Sequence, residues 1–386
     1  MPTSLNYPVD QGNSLPIPYI QLHNNDIMST TIQTRFLVIS DTHGHTFPPE
    51  MIPLVPIDVL IHCGDLTDHS KMDEYRRTLA MLKAFKAPLT LVISGNHDFS
   101  LDAVAFKAKI EEANRLNGEP IEADLVERHY GGHGLAKKLF ADAEKDGIIL
   151  LNEGTHQFAL VNGARLQVYA SPYTPSSSSS EGWGFSYHES EGHEFHIQTD
   201  TDIVMTHGPP HGVMDMSADK KRVGCPHLFA AVAKSRPRLH CFGHVHGGWG
   251  AKNAAWRPEI SDKPSHFSNT DHEKSELVDN LATLGGTRFE SEEDRKMRER
   301  RLELYRVQRY CRAGHLRNEV SSAEVKSTMF VNTALEADGE LQRYPWIIDI
   351  DLSKSEAGRA PRTEGKRRRE ESTQELEEAR KLSDRS

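Results

Sequence analysis

RFLVISDTHGH, residues 35–45, decides the fold. Its first six residues form an apolar run of strand length, and the run stops abruptly at Asp41-Thr42-His43. The same unit recurs twice. DVLIH (58–62) runs into CGDLTD (63–68), and LTLVIS (89–94) runs into GNHD (95–98). Between these two strands, Met72, Tyr75, Leu79, Leu82 and Phe85 recur every three or four residues, the pattern of an amphipathic helix, and Pro88 closes it. Buried strand, polar loop and helix in alternation predict an α/β sheet.

Further strands are expected in GIILLN, HQFAL and RLQVYA (147–170), TDIVMTHG (201–208), RLHCFGHVHGG (238–248), STMFVNTAL (327–335) and YPWIIDIDL (344–352). The expected domain covers 34–352, with insertions at about 101–145 and 252–325. The first insertion reads as mostly helical. The second is polar, with a charged stretch at 291–310 that also reads as helix, and it is expected to cover part of the site because it follows His246 directly. Residues 1–33 read as a flexible arm, Ser176–Ser180 as a flexible loop, and 353–386 as a disordered charged tail. Such a tail offers too little apolar surface to offset the ordering cost of about 1–2 kcal/mol per residue.

Net charge is −10, and the tail holds 10 basic against 8 acidic residues, so the remainder carries about −12. A general nucleic-acid binder shows a basic excess, so long nucleic acid is not the expected ligand. Four scattered cysteines suit neither a disulfide scaffold nor a thiolate zinc site and fit reduced thiols in the cytoplasm. Cys63 and Cys241 sit in apolar strands and read as inert buried thiols. Neither a secretory leader nor a membrane span is expected. The run Lys366-Arg367-Arg368-Arg369 allows nuclear import, although a solvated tail segment is the simpler reading.

Five expected strands end in residues able to hold metal: Asp41-Thr42-His43, Gly64-Asp65, Gly95-Asn96-His97-Asp98, Thr206-His207-Gly208 and Gly243-His244-Val245-His246. Each piece alone is an ordinary turn. Together, at the carboxyl ends of strands of one sheet system, they can converge on one crevice. Imidazole, carboxylate and amide oxygen suit Mn, Fe, Zn or Mg rather than thiolate-seeking metals. His45, Asp68 and Asp98 flank the motifs and read as either partners of ligand imidazoles or loop caps. Trp183 reads as packed against a neighbouring loop, with stacking on a substrate base as the alternative.

The set DTH, GD, GNHD, THGPP and GHVH resembles the calcineurin-like metallophosphoesterase superfamily. SPYTPSSSSSEGWGF (171–185), THGPPHGVMDM (206–216), RVGC (222–225) and RPRLHCFGHVHGGWG (236–250) resemble more closely its metallophosphoesterase-domain-containing animal and fungal group. The resemblance spans about 34–352. It implies a four-layer α/β/β/α sandwich and two divalent cations, manganese among the candidates. It implies that Asp41, His43 and His246 hold one cation, that Asn96, His207 and His244 hold the other, and that Asp65 bridges them. His97 would contact the phosphate or protonate the leaving oxygen. Two cations side by side lower the pKa of a shared water and clamp both oxygens of an in-line displacement. The implied substrate is a small, nucleotide-like phosphodiester. A phosphomonoesterase is the alternative, and a protein-binding scaffold with a degraded site is a third reading, disfavoured because every ligand position carries the expected residue type.

Overall fold

The computed structural model describes residues 30–132, 134–177, 183–316 and 326–355. Most of the expected arm, the last three residues of the serine run, and the tail from 356 on with its Lys366–Arg369 run lie outside the described residues.

In chain order the strands are β1 (Thr31–Ile39), β2 (Val59–His62), β3 (Leu89–Val92), β4 (Ile148–Leu150), β5 (Gly154–Ala159), β6 (Arg165–Ser171), β7 (Thr174–Ser176), β8 (Ser186–His188), β9 (Ile203–Thr206), β10 (Leu239–Phe242), β11 (Gly250–Trp256), β12 (Thr270–Asn280), β13 (Cys311–Leu316), β14 (Ser327–Asn332), β15 (Glu336–Ala337), β16 (Glu340–Leu341) and β17 (Trp346–Ser353). The helices are α1 (Met72–Ala84), α2 (Ala103–Asn117), α3 (Ala123–Tyr130), α4 (Leu135–Ala143), α5 (Pro226–Ser235), α6 (His266–Asn269), α7 (Leu281–Gly285) and α8 (Glu292–Gln308).

Two sheets carry the fold. One has six strands in the order β13-β17-β1-β2-β3-β4, and the other has seven in the order β12-β11-β14-β10-β9-β6-β5. Side chains alternate across a strand, and β1 shows what that does. Phe36 and Val38 point into a core shared with Leu166, Val168, Met205 and Val331 of the other sheet. Leu37 and Ile39 point outward, onto Met72, Tyr75, Leu79 and Leu82 of α1 and Phe140 of α4. On the far side, Val204, Phe242 and Phe330 pack under Leu228, Phe229 and Val232 of α5. Helix, sheet, sheet and helix make the expected four-layer α/β/β/α sandwich.

The boundaries differ from the sequence reading in informative places. β1 begins at Thr31 and β17 ends at Ser353, and these two residues pair with each other in an antiparallel ladder. The pairing extends sheet structure into segments whose polar composition suggested arm and tail. The first insertion is helical as expected, forming α2, α3 and α4. The second is not an excursion from the domain. Its strands β11 and β12 extend the seven-stranded sheet, and β13 forms the edge of the other. β12, TDHEKSELVDN, is mostly exposed or half-exposed, so it lacks a hydrophobic period. Charged edge strands of this kind resist pairing with other chains. No helix among the described residues is long and apolar enough to cross a membrane.

Leu91 is fully buried between the sheets, whereas Phe289 is 91% exposed. Leu91→Ala is expected to cost about 2–5 kcal/mol of unfolding free energy, and Phe289→Ala no more than about 0.5 kcal/mol. Urea unfolding of both variants checks this division between core and surface.

Candidate metal centre

Every motif residue from the sequence arrives at the same end of the two sheets. Asp41 and His43 follow β1, Asp65 follows β2, Asn96 and His97 follow β3, His207 follows β9, and His244 and His246 follow β10. The chain turns sharply after each strand. Asp41, His43, Asp65 and His244 have φ of 52°, 46°, 52° and 65°. This left-handed region is uncommon for residues with a side chain, although Asp and His tolerate it better than most. Two glycines allow the loops to close. A Cβ at Gly95 would lie 2.2 Å from an Asp65 carboxylate oxygen, and one at Gly243 would lie 1.9 Å from Asp41 Oδ2.

The side-chain atoms form two adjoining groups. In the first, His246 Nε2 lies 3.3 Å from Asp41 Oδ1 and 3.3 Å from His43 Nε2. In the second, Asn96 Oδ1 lies 2.9 Å from both His207 Nε2 and His244 Nδ1. Asp65 stands between them. Its Oδ2 is 3.3 Å from His207 Nε2 and 3.8 Å from His43 Nε2, while its Oδ1 accepts the His97 backbone N–H at 2.9 Å. Asp41 accepts the backbone N–H of His244 at 2.9 and 3.0 Å, which ties the two groups together.

Proton positions follow from the partners. A carbonyl only accepts, so His207 Nδ1–H donates to the Cys63 carbonyl at 2.9 Å. His207 Nε2 then faces the oxygens of Asn96 and Asp65. His246 Nδ1 is likewise committed to Glu336 Oε2 at 2.6 Å, leaving its Nε2 turned toward Asp41 and His43. Two imidazole nitrogens 3.3 Å apart cannot both present lone pairs unless a proton or a cation lies between them. His43 Nδ1 is buried with no hydrogen-bond partner. The donor set is thus convergent, rich in lone pairs, and composed of N and O, which fits borderline or hard divalent cations.

Electrostatics point the same way. Burial alone opposes charge on each group. Against that burial, facing histidines hold the Asp41 and Asp65 carboxyls well below the ordinary range. Against its own burial, His207 is raised to about 9 by Asp65. His244 is lowered to about 4, chiefly by burial, so it stays neutral and able to ligate. The field that draws a proton to His207 also draws a metal cation.

Other expected residues sort by contact. Asp98 is fully buried and accepts N–H bonds from Gly95, Leu66 and Thr67 and the Thr67 hydroxyl, so it clamps two ligand loops together and touches no ligand imidazole. Burial, then the charge of Asp65, raises its carboxyl to about 7. Asp68 reaches His97 and His43 at 3.5 and 3.9 Å, and His45 lines the wall. Cys63 and Cys241 are buried, as expected. Trp183 packs against the His97 ring at 4.4 Å.

The cleft over these groups holds about 320 Å³. Its outer wall includes Glu336 and Gly339, from the short β15–β16 hairpin, and no residue of 252–316. Among its described residues, the second insertion does not provide the expected cover. β11 carries the chain away from the centre, paired in register with β14. Glu336 is the residue that sequence reasoning missed. It lies 90 positions beyond His246, with no motif spacing to connect them.

A profile of the calcineurin-like phosphoesterase family matches residues 34–248, more than half of the chain, and the chain belongs to that family. Metallophosphoesterase domain-containing protein 1 of Homo sapiens is 31% identical over 254 residues, covering 63% of this chain and 71% of that protein. A UPF0046 protein of Caenorhabditis elegans is 30% identical over 226 residues, covering 56% of this chain and 52% of its own length. Among solved structures, a protein of Thermus thermophilus is 13% identical, covers 57% of this chain and 84% of its own, and gives a TM-score of 0.36. Membership supports a hydrolase of phosphate esters with metal-binding groups.

A carboxylate that accepts from a ligand imidazole fixes its tautomer and orientation. Glu336→Gln is therefore expected to weaken divalent-metal affinity by roughly 10–100-fold without unfolding the chain. Calorimetric titration with Mn²⁺ checks this.

Proposed function

We propose that the chain hydrolyses a small phosphodiester with two divalent cations. Asp41, His43 and His246 hold one cation, Asn96, His207 and His244 hold the other, and Asp65 is shared. The observation that carries this reading is the position of Asp65 Oδ2, which faces one histidine of each group at 3.3 and 3.8 Å. A bound pair of cations supplies a nucleophile at neutral pH and neutralises charge on the transferring phosphoryl group.

The chain's own residues do the rest. His97 Nδ1–H donates to the Asp68 carbonyl at 2.7 Å, which fixes the ring and leaves Nε2 as its unused nitrogen. The ring lines the cleft beside Asp65 and Asn96. His97 is therefore placed to contact a phosphoryl oxygen and, as the imidazolium with a second proton on Nε2, to hand that proton to the leaving oxygen and return to the neutral ring, the work of a general acid. His97 also gives its backbone N–H to Asp65, so one residue links the shared carboxylate to the acid.

The choice of a diester over a monoester rests on the resemblance to the metallophosphoesterase-domain-containing group. None of the residues lining the cleft is Lys or Arg, and Asp65, Asp68 and Glu336 contribute carboxylates. Completeness of the donor set argues against a scaffold with a lost site. The cation pair is proposed as manganese-type, and the compartment as cytoplasmic.

Two measurements test this. Purified protein with Mn²⁺ is expected to turn over bis(4-nitrophenyl) phosphate faster than 4-nitrophenyl phosphate, and the reverse order would favour the monoesterase. His97→Ala is expected to keep its metals and lose roughly 10²–10⁴-fold in rate on esters with poor leaving groups. The loss should shrink with a nitrophenolate leaving group. An equal loss on both would assign His97 to positioning alone.

A further inference from the structure

The first insertion, unlike the second, reaches the rim of the centre. Asp102 does two things there. Its Oδ1 caps α2 by accepting the N–H groups of Val104 and Ala105, and its Oδ2 accepts the Phe185 N–H at 2.9 Å. Gly184 N–H donates to the Asn96 carbonyl at 2.9 Å. A Cβ on Gly184 would meet the Phe99 backbone at 2.8 Å, so the loop lies directly on the segment that carries Asn96 and His97. Trp183 is thereby held beside His97, with ring centroids 4.4 Å apart and planes inclined at 41°. Its indole remains 36% exposed.

Lys109, on α2, lies above the same ring. Its Nζ is 5.2 Å from the Trp183 centroid and 4.5 Å from that of Phe99. Lys109 makes no ion pair among the described residues, whereas its neighbour Lys107 pairs with Glu111. It is half-buried, and burial lowers its pKa. A partly desolvated ammonium without a carboxylate in contact is receptive to an anion. The cleft lining holds histidines but neither Lys nor Arg, so Lys109 adds a permanent cation just beyond the His97 wall.

We propose that Trp183 and Lys109 form a binding subsite for a planar aromatic group that carries a second negative charge on the phosphate-ester substrate. Trp183 supplies the stacking surface, and Lys109 meets the added charge. This rests on the reading of the centre as a phosphoesterase site, and it names the class of ester taken: one whose alcohol is aromatic or heteroaromatic and anionic.

The test compares three phosphate monoesters as ligands of the Mn²⁺-loaded protein: methyl phosphate, 2-naphthyl phosphate and 6-carboxy-2-naphthyl phosphate. Affinities are read by calorimetry, which needs no turnover. Trp183→Ala is expected to weaken both naphthyl ligands roughly tenfold and to change methyl phosphate by less than about twofold. Trp183→Phe keeps a stacking ring and should hold affinity near wild type. Lys109→Met should weaken only the carboxylated ligand, by about threefold or more. The subsite is overturned if Trp183→Ala weakens all three ligands alike or none of them, or if Trp183→Phe loses as much as Trp183→Ala. Failure of the parent reading looks different: wild type would hydrolyse no phosphodiester, whatever these affinities show.

Discussion

Asp65 sets the terms for everything around it. One carboxylate faces an imidazole of each donor group and also accepts the backbone N–H of His97. It is nearly fully buried, and burying such a charge is costly unless positive or hydrogen-donating groups surround it. The surrounding donors are too few to satisfy a carboxylate pair as well as a set of inward-turned imidazole lone pairs. Divalent cations would resolve that conflict in one step, which is what makes the arrangement intelligible as a metal centre.

The sandwich exists to hold this conflict in place. Left-handed backbone at Asp41, His43, Asp65 and His244 stores strain of order 1–3 kcal/mol per residue. Each of these residues closely follows a strand whose side chains are buried on both faces, and that packing offsets the strain. Asp98 contributes from below by gathering the Asp65 and Asn96 loops on one carboxylate. The histidine partners come from different chain segments again: Cys63 for His207, and Glu336 for His246. Positioning is thus distributed over both sheets, while the candidate ligands are concentrated at one end.

The strands that carry ligands were legible because burial on both faces leaves uninterrupted apolar runs, and those runs stop where the chain must turn. The seven ligand candidates and His97 were legible for the same reason, helped by resemblance to the family. Two kinds of feature were not. β12 is polar because it lies at a sheet edge, so its pairing with β11 leaves no hydrophobic period to read. Glu336 carries no signal because its role depends on a hairpin returning to His246 across the fold. The cover expected from 252–325 is not provided by the described residues 252–316 for a related reason, since adjacency to His246 in sequence says nothing about the direction in which β11 departs. Thr31–Gln33 and Ser353 were assigned by composition to arm and tail, yet they complete a ladder that only the fold reveals.

The most direct test of the account is electron paramagnetic resonance during Mn²⁺ titration of the purified protein, with Asp65→Asn alongside. The account predicts that wild type takes up two equivalents of Mn²⁺ per chain and develops an exchange-coupled dinuclear spectrum. It predicts that Asp65→Asn loses this coupling. A wild-type spectrum that remains that of isolated Mn²⁺ at saturation, or coupling that persists unchanged in Asp65→Asn, would contradict a centre built around one shared carboxylate.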